Sequence, residues 1–210
     1  MFTGIIQEIG TVKIISRKRD TAYLEVSCKQ VLSDAVLGDS IAVNGVCLSI
    51  VKKGTDLLAF DVVFNTFNTT NLKRLRSGSA VNLESSLKMG DDISGHIVTG
   101  HVDRERTIRN NKKTPQGWVL DIKTQNDDQT HMIEKGSIAI DGTSLTIGDI
   151  HPGYIRIFLI PHTMQNTILS RKKSGDYVNI EFDSMGKYAS KEKTATSRIT
   201  KEMLNRNGFM

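Results

Sequence analysis

The chain of 210 residues has two cysteines, three prolines and one tryptophan, and aromatic residues make up 6% of it. Cys28 and Cys47 do not make a disulfide framework, so a packed core must hold the fold, and a reducing, cytoplasmic setting is expected. No apolar run approaches the roughly 20 residues of a membrane-spanning helix. The opening MFTGIIQEIG lacks a basic region followed by an apolar core, so no secretion signal or membrane contact is expected. With 28 Lys and Arg against 23 acids, the net charge is +5 and the pI near 9.2. The basic clusters at 104–113 and 171–173 carry no interleaved aromatics on which bases would stack, so they read as solvated surface and no nucleic-acid partner is expected. His96 and His101 lie five apart, on opposite faces of a straight strand, and no Cys or carboxylate cluster completes a tetrahedral set. Neither a metal nor a cofactor is therefore expected.

What the chain does have is an internal echo. The stretch SIAVNGVCLSI at 40–50 returns as SIAIDGTSLTI at 137–147, an offset of 97 residues. The same offset carries GSAVNLE at 78–84 onto GDYVNIE at 175–181, and Thr66 and Thr70 onto Thr163 and Thr167. With one residue of slack, Thr3, Gly4 and Ile5 fall on Thr99, Gly100 and His101. An offset that persists along a chain marks a duplicated structural unit. The expected division is a first unit over 1–97, a second over 98–185 and a tail over 186–210, each unit being long enough for a core of its own.

Both units read as strands separated by tight turns. In the first, Asp39 to Val43 leads through Asn44-Gly45 to Val46–Lys52, and a turn at 53–55 leads to Asp56–Val63. In the second, Gly136 to Ile140 leads through Asp141-Gly142 to Thr143–Asp149, and His151-Pro152-Gly153 leads to Tyr154–Ile160. Asn-Gly and Asp-Gly between alternating apolar residues signal two-residue hairpin turns, whose central positions need positive φ. Flanking strands are expected at Ile5–Ser16, Tyr23–Ser27 and Ala80–Glu84. About six short strands per unit without helical periodicity predict an all-β chain: two homologous six-stranded antiparallel Greek-key barrels in tandem.

The hairpin turn sets a register with consequences. Val43 pairs with Val46, Ala42 with Cys47, Ile41 with Leu48 and Ser40 with Ser49, and cross-strand partners share a face. Ile41, Val43, Val46 and Leu48 form the core face, and Ser40, Ala42, Cys47 and Ser49 the other. The second unit presents Ser137, Ala139, Ser144 and Thr146 there. In an arbitrary barrel such a face reads as plain solvent surface, but exposed strands usually carry Lys and Glu. A surface twice built from short polar groups fits the wall of a pocket for a hydroxyl-bearing ligand.

These residues carry a resemblance. MFTGII at 1–6, the stretch 40–50, GHIVTGHVD at 95–103, the stretch 136–147, IPHT at 160–163 and VNIEFD at 178–183 occur in the order found in riboflavin synthases of the bacterial and fungal type. The resemblance covers about residues 1–190. It implies trimers of two-barrel subunits whose C-terminal helices associate, and an active site between the N-terminal barrel of one subunit and the C-terminal barrel of its neighbour. The implied reaction is a dismutation of two molecules of 6,7-dimethyl-8-ribityllumazine. One donates a four-carbon unit to the other, giving riboflavin and 5-amino-6-(ribitylamino)uracil. The implied partners are two lumazine substrates per site, two further copies of the chain and an association with lumazine synthase.

Carried over position by position, the resemblance assigns catalysis to Ser40, Cys47, His101 and Asp183. It assigns substrate contacts in the first unit to Phe2, Gly4, Ile5, Ile6, Cys47, Leu48, Ser49, Asp61, Val62, Val63, Phe64, Asn65 and Thr66. In the second unit it assigns Gly100, His101, Val102, Lys135, Ser144, Leu145, Thr146, Ile160, Pro161, His162 and Thr163. Histidine suits proton abstraction because its pKa lies near working pH, and a thiol serves as a nucleophile only where its surroundings lower its pKa. Cys47 on its own is also a small hydrophobe, Cys28 reads as structural, and Asp183 reads equally as the cap of a tail helix.

The chain departs from the usual pattern at Phe64-Asn65-Thr66, where Pro-Glu-Thr is expected. Asn68 stands in place of Arg, and Ser94 in place of Gly. A non-catalytic lumazine- or flavin-binding protein of the same double-barrel type is the alternative, though such proteins have eroded catalytic positions. In the tail, Tyr188, Glu192, Ala195, Ile199 and Met203 recur at steps of three and four, which predicts a helix with a thin apolar stripe.

Overall fold

The structure, a computed structural model, describes residues 1–115, 117–188 and 201–208. The first barrel is built from β1 (Glu8–Arg17), β2 (Thr21–Ser27), β3 (Ser40–Val43), β4 (Val46–Lys53), β5 (Leu57–Val63) and β6 (Ala80–Ser85). They close in the order β1-β2-β5-β4-β3-β6, every pairing antiparallel. The second uses β7 (Arg104–Thr114), β8 (Gly117–Lys123), β9 (Ser137–Ile140), β10 (Thr143–His151), β11 (Tyr154–Leu159) and β12 (Tyr177–Phe182). Its order, β7-β8-β11-β10-β9-β12, repeats the first strand for strand. The repeat extends to irregularities: β4 bulges between Ile50 and Lys52, and β10 between Ile147 and Asp149.

The hairpin registers are as the sequence predicts: Ser40 opposite Ser49, Ile41 opposite Leu48, Ala42 opposite Cys47 and Val43 opposite Val46. Asn44 and Asp141 take φ of 48° and 45°, each followed by a positive-φ glycine, which is the two-residue turn that Asn-Gly and Asp-Gly favour. The inward residues of the first barrel, among them Leu24, Ile41, Leu58, Phe60 and Leu83, form one core, and Ile108, Leu120, Ile138, Ile157 and Ile180 anchor the other. Each fully buried side chain of this size contributes roughly 1.5–3 kcal/mol.

Short helices not expected from the sequence interrupt the loops: α1 (Gln30–Ser33), α2 (Phe64–Thr69), α3 (Asn126–Gln129) and α4 (Pro161–Asn166). At four to six residues they are too short to imprint a 3.6 period on the sequence. β1 starts at Glu8 rather than Ile5, because residues 3–6 leave the sheet for the other barrel. The stretch 95–103 is likewise no strand; it makes a single bridge, Val98 to Phe2. In the tail, 184–188 and α5 (Lys201–Arg206) are helical. Most of the expected apolar stripe lies outside the described residues. No helix among the described residues is long and apolar enough to cross a membrane.

Candidate active site

The barrels meet along a seam that is locally two-fold. Gly45 and Gly142 touch at the tips of the two hairpins: a Cβ on Gly45 would lie 2.6 Å from the backbone nitrogen of Gly142, and one on Gly142 2.8 Å from that of Gly45. With φ of 77° and 79° as well, both positions are closed to any residue with a side chain. Asn82 and Asn179 then lace the barrels together. The Asn82 amide nitrogen donates to the Asp141 carbonyl at 2.9 Å and its oxygen accepts from the Ile168 N–H at 2.8 Å. The Asn179 amide nitrogen donates to the Asn44 carbonyl at 2.8 Å and its oxygen accepts from the Asn71 N–H at 2.7 Å.

The symmetry breaks at one buried acid. Asp141 occupies the place of Asn44, and burial pushes its carboxyl above the ordinary range, with Lys172 at 3.4 Å pulling the other way.

Two Thr-Gly turns cross this seam. Glu84, buried in the first barrel, accepts from the Thr3 N–H at 2.7 Å, the Thr3 hydroxyl at 2.9 Å and the Gly4 N–H at 3.1 Å. Glu181 does the same for Thr99 and Gly100 at 2.7, 2.6 and 3.0 Å. Burial drives the Glu84 carboxyl upward, and these donors oppose the shift. Each turn is held by its own barrel and capped by the other: the Gly4 carbonyl accepts from the Ser144 N–H at 2.7 Å, and the Gly100 carbonyl from the Cys47 N–H at 2.9 Å. Val102 continues the crossing by packing against the first barrel's core.

The hairpin face read from sequence as one pocket wall is therefore divided. Its middle is covered: Ala42 and Ala139 are buried with Phe2 and Val98, and Cys47 packs at the edge of that cluster. Its outer end is open. Ser49 and Thr146 are exposed, and because Ile50 pairs with Phe60 and Ile147 with Ile157, they stand beside Asp61 and Phe158. Val63 and Ile160, each more than 60% exposed, extend these faces.

Exposure sorts the remaining candidates. Ile5, Phe64, Asn65, His101, Lys135, Pro161 and His162 are exposed, and Ile6, Ser40, Thr66, Ser144, Thr163 and Asp183 are half-buried. Leu48 and Val62 point into the first core and Leu145 packs against the second, so strand alternation leaves them only backbone to offer a ligand. A cleft of about 740 Å³ runs along the first barrel past Thr3, Ile5 and Ser40 toward Ser94. Lys135 has φ 66°, where the first barrel has Gly38 at 89°. Left-handed backbone costs a residue with a Cβ roughly 1–2 kcal/mol. The Lys135 amine donates to the Gly148 carbonyl at 3.0 Å.

Two features were not assigned from the sequence. His96 Nδ1 lies 2.7 Å from Ser144 Oγ, on the residue that replaces Cys47 in the second unit. Burial lowers the pKa of His96 while the nearby Asp183 carboxylate raises it. The lowered pKa favours the neutral ring, whose Nδ1 donates to or accepts from Ser144 Oγ according to its tautomer. Asp183 also accepts from the Met185 N–H at 3.0 Å, capping the turn that follows, so the cap and the charge beside histidine coexist in one side chain. Glu84 and Glu181 are the other omission; their recurrence at the fixed offset was the signal. Cys28, by contrast, is buried, and burial together with Glu8 and Asp56 pushes its thiol up to about 12, which makes it inert.

The model of the lumazine binding domain matches this chain twice, over 3–86 and 99–183. The riboflavin synthase of Bacillus subtilis (strain 168) is 39% identical, covering 100% of both chains. That of Actinobacillus pleuropneumoniae is 41% identical over 90% of this chain and 87% of its own. That of Schizosaccharomyces pombe is 35% identical over 91% and 93%. Among solved structures, LumP complexed with 6,7-dimethyl-8-(1'-D-ribityl) lumazine superposes with a TM-score of 0.78 at 28% identity, over 87% of this chain and 99% of that one. LumP complexed with riboflavin gives 0.79 at the same identity and coverage. Matched in both barrels and aligned end to end with the Bacillus subtilis enzyme, the chain belongs to the riboflavin synthase family of lumazine-binding proteins.

Proposed function

We propose that this protein dismutates two molecules of 6,7-dimethyl-8-ribityllumazine into riboflavin and 5-amino-6-(ribitylamino)uracil. The four carbons lost by one molecule are gained by the other, so the reaction needs no outside oxidant. The observation that carries the reading is a duplicated scaffold whose outer faces have diverged. Two like substrates call for two like pockets, and unlike roles call for unlike walls. Ser40, Cys47, Ser49 and Asp61 line one wall, and Ser144, Thr146, His96 and Lys135 the other, with Ile5, Val63 and Ile160 as apolar surface for flat rings. Holding two heterocycles face to face removes up to roughly 7–11 kcal/mol of the barrier to a bimolecular step.

In this reading neutral His96 or exposed His101 removes the acidic proton from the C7 methyl of one lumazine, and Asp183 stabilises the imidazolium that results. Cys47 or water adds to the other lumazine. Each complete site forms between the first barrel of one subunit and the second barrel of a neighbour in a homotrimer, with the tail at the trimer axis. We place the enzyme in the cytoplasm, in association with lumazine synthase. The open faces support this arrangement, because Val63, Phe158 and Ile160 stand exposed beside hydroxyls among the described residues. The test is incubation with 6,7-dimethyl-8-ribityllumazine, followed by absorption and green fluorescence. Riboflavin formation is expected. Tight binding without turnover would favour the non-catalytic reading, whose support is the likeness to LumP.

A further inference from the structure

A second cleft, of about 620 Å³, opens between the barrels at the 3-10 turns Asn71–Arg74 and Ile168–Arg171. Each turn is pinned to the other barrel, Asn71 through Asn179 and Ile168 through Asn82. None of its lining residues is a candidate catalytic or substrate-contact residue. Its walls carry Arg74, Arg76, Arg171 and Lys172 against one lining carboxylate, Asp176.

These cations are not equivalent. Arg74 is paired with Glu105 at 2.7 Å and lies over the Tyr177 ring at 3.4 Å. The Lys172 amine is 3.4 Å from buried Asp141 and donates to the Tyr177 carbonyl at 2.7 Å. Asp176 accepts from the Lys173 N–H at 2.7 Å. The guanidinium groups of Arg76 and Arg171 have no ion pair or hydrogen bond among the described residues, and both residues are exposed. One free guanidinium thus comes from each barrel. Ser79 Oγ, which accepts from the Arg76 N–H at 3.0 Å, keeps its own proton to donate.

A guanidinium presents parallel N–H groups that match two phosphoryl oxygens at once. The cleft volume is many times the roughly 30 Å³ of one water, so a single phosphate would leave it largely empty. We propose that this cleft binds a small molecule carrying a pyrophosphate or longer phosphate chain, held from two sides by Arg76 and Arg171. Such an anion touches both barrels and braces them. A nucleic-acid strand is the poorer occupant: the one aromatic ring in the cleft, Tyr177, is already covered by Arg74.

The proposal is independent of the lumazine reading, and its test reads binding and turnover separately. Calorimetric titration of the full chain at fixed ionic strength would use inorganic pyrophosphate in one arm and a nucleoside diphosphate in the other. One saturable site per chain is expected. Affinity should be about tenfold or more weaker in Arg76→Gln/Arg171→Gln, with lumazine conversion unchanged. Arg76→Lys/Arg171→Lys, which keeps the charge and loses the fork, should fall between and serves if the first variant misfolds. Tighter binding of the diphosphate identifies a nucleotide ligand, and equal or tighter binding of pyrophosphate a free one. The proposal is overturned by absence of saturable binding at millimolar concentration, by unchanged affinity in both variants, by an equal response to sulfate, or by preferential binding of an oligonucleotide.

Discussion

The two barrels share four pairs of identical residues along their seam, where Asn44 against Asp141 is the polar exception, and they differ more freely where they face outward. Gly45 and Gly142, Asn82 and Asn179, Glu84 and Glu181, and Thr3 and Thr99 are pairs of identical residues, and all are seam residues. At those four pairs backbones approach too closely, or buried groups are too completely paired, for a change to be accommodated. The outward pairs diverge: Asp61 against Phe158, Asn65 against His162, and Gly38 against Lys135. Cys47 and Ser144 lie between the two regimes, their N–H groups bound identically at the seam and their side chains free to differ. Duplication has fixed the scaffold and released the walls.

The comparison breaks most severely at the seam. Asn82→Leu leaves the Asp141 carbonyl and the Ile168 N–H buried without partners, at about 1–3 kcal/mol each. Chemical denaturation should show that loss in one transition that carries both barrels, and a loss confined to one barrel would mean the seam is not shared. Next in size is the contrast between the cysteines. Cys47→Ala should depress turnover by about tenfold or more, the scale of a lost proton-transfer or nucleophilic group. Cys28→Ala should act on stability alone, since its thiol is buried in the first core. Equal effects on turnover would remove Cys47 from the chemistry.

The smallest effect sharpens the second wall. The folded-state pKa of His96 is lowered from 6.5, so the native protein favours the neutral ring. As pH falls through 6.5 the unfolded chain takes up its proton first, and the stability tied to this group declines from there to the folded value. Activity that depends on the neutral ring follows the folded value. Asp183 holds that value up, so Asp183→Asn should move the acid limb of kcat/KM to lower pH. A limb that stays in place would detach His96 from the rate.

The sequence carries the barrels because their determinants are local: Asn44-Gly45 and Asp141-Gly142 dictate turns, turns dictate register, and register divides core from surface. It does not carry the seam. The cover on Ala42 and the acceptor for the Cys47 N–H come from Val98 and Gly100, more than 50 residues away. No alternation in β3 or β4 announces them. The place of His96 is not legible either, for the same reason: its setting depends on where a non-strand segment crosses to Ser144. Lys135 was legible only as a resemblance; its left-handed backbone at a position held by Gly38 is what marks it physically.

The central claim is that two unlike walls, one from each barrel type, must meet to make a site. Subunit mixing tests it most directly, using Cys47→Ala to damage the first wall and the double variant His96→Ala/His101→Ala to damage the wall built on Ser144. Each variant alone should be nearly inactive. Unfolded together and refolded, they should recover about a quarter of the native activity, because random pairing across a heterologous interface reunites intact walls in that share of sites. A mixture that stays as inactive as its components would contradict the account and place the whole site within a single chain.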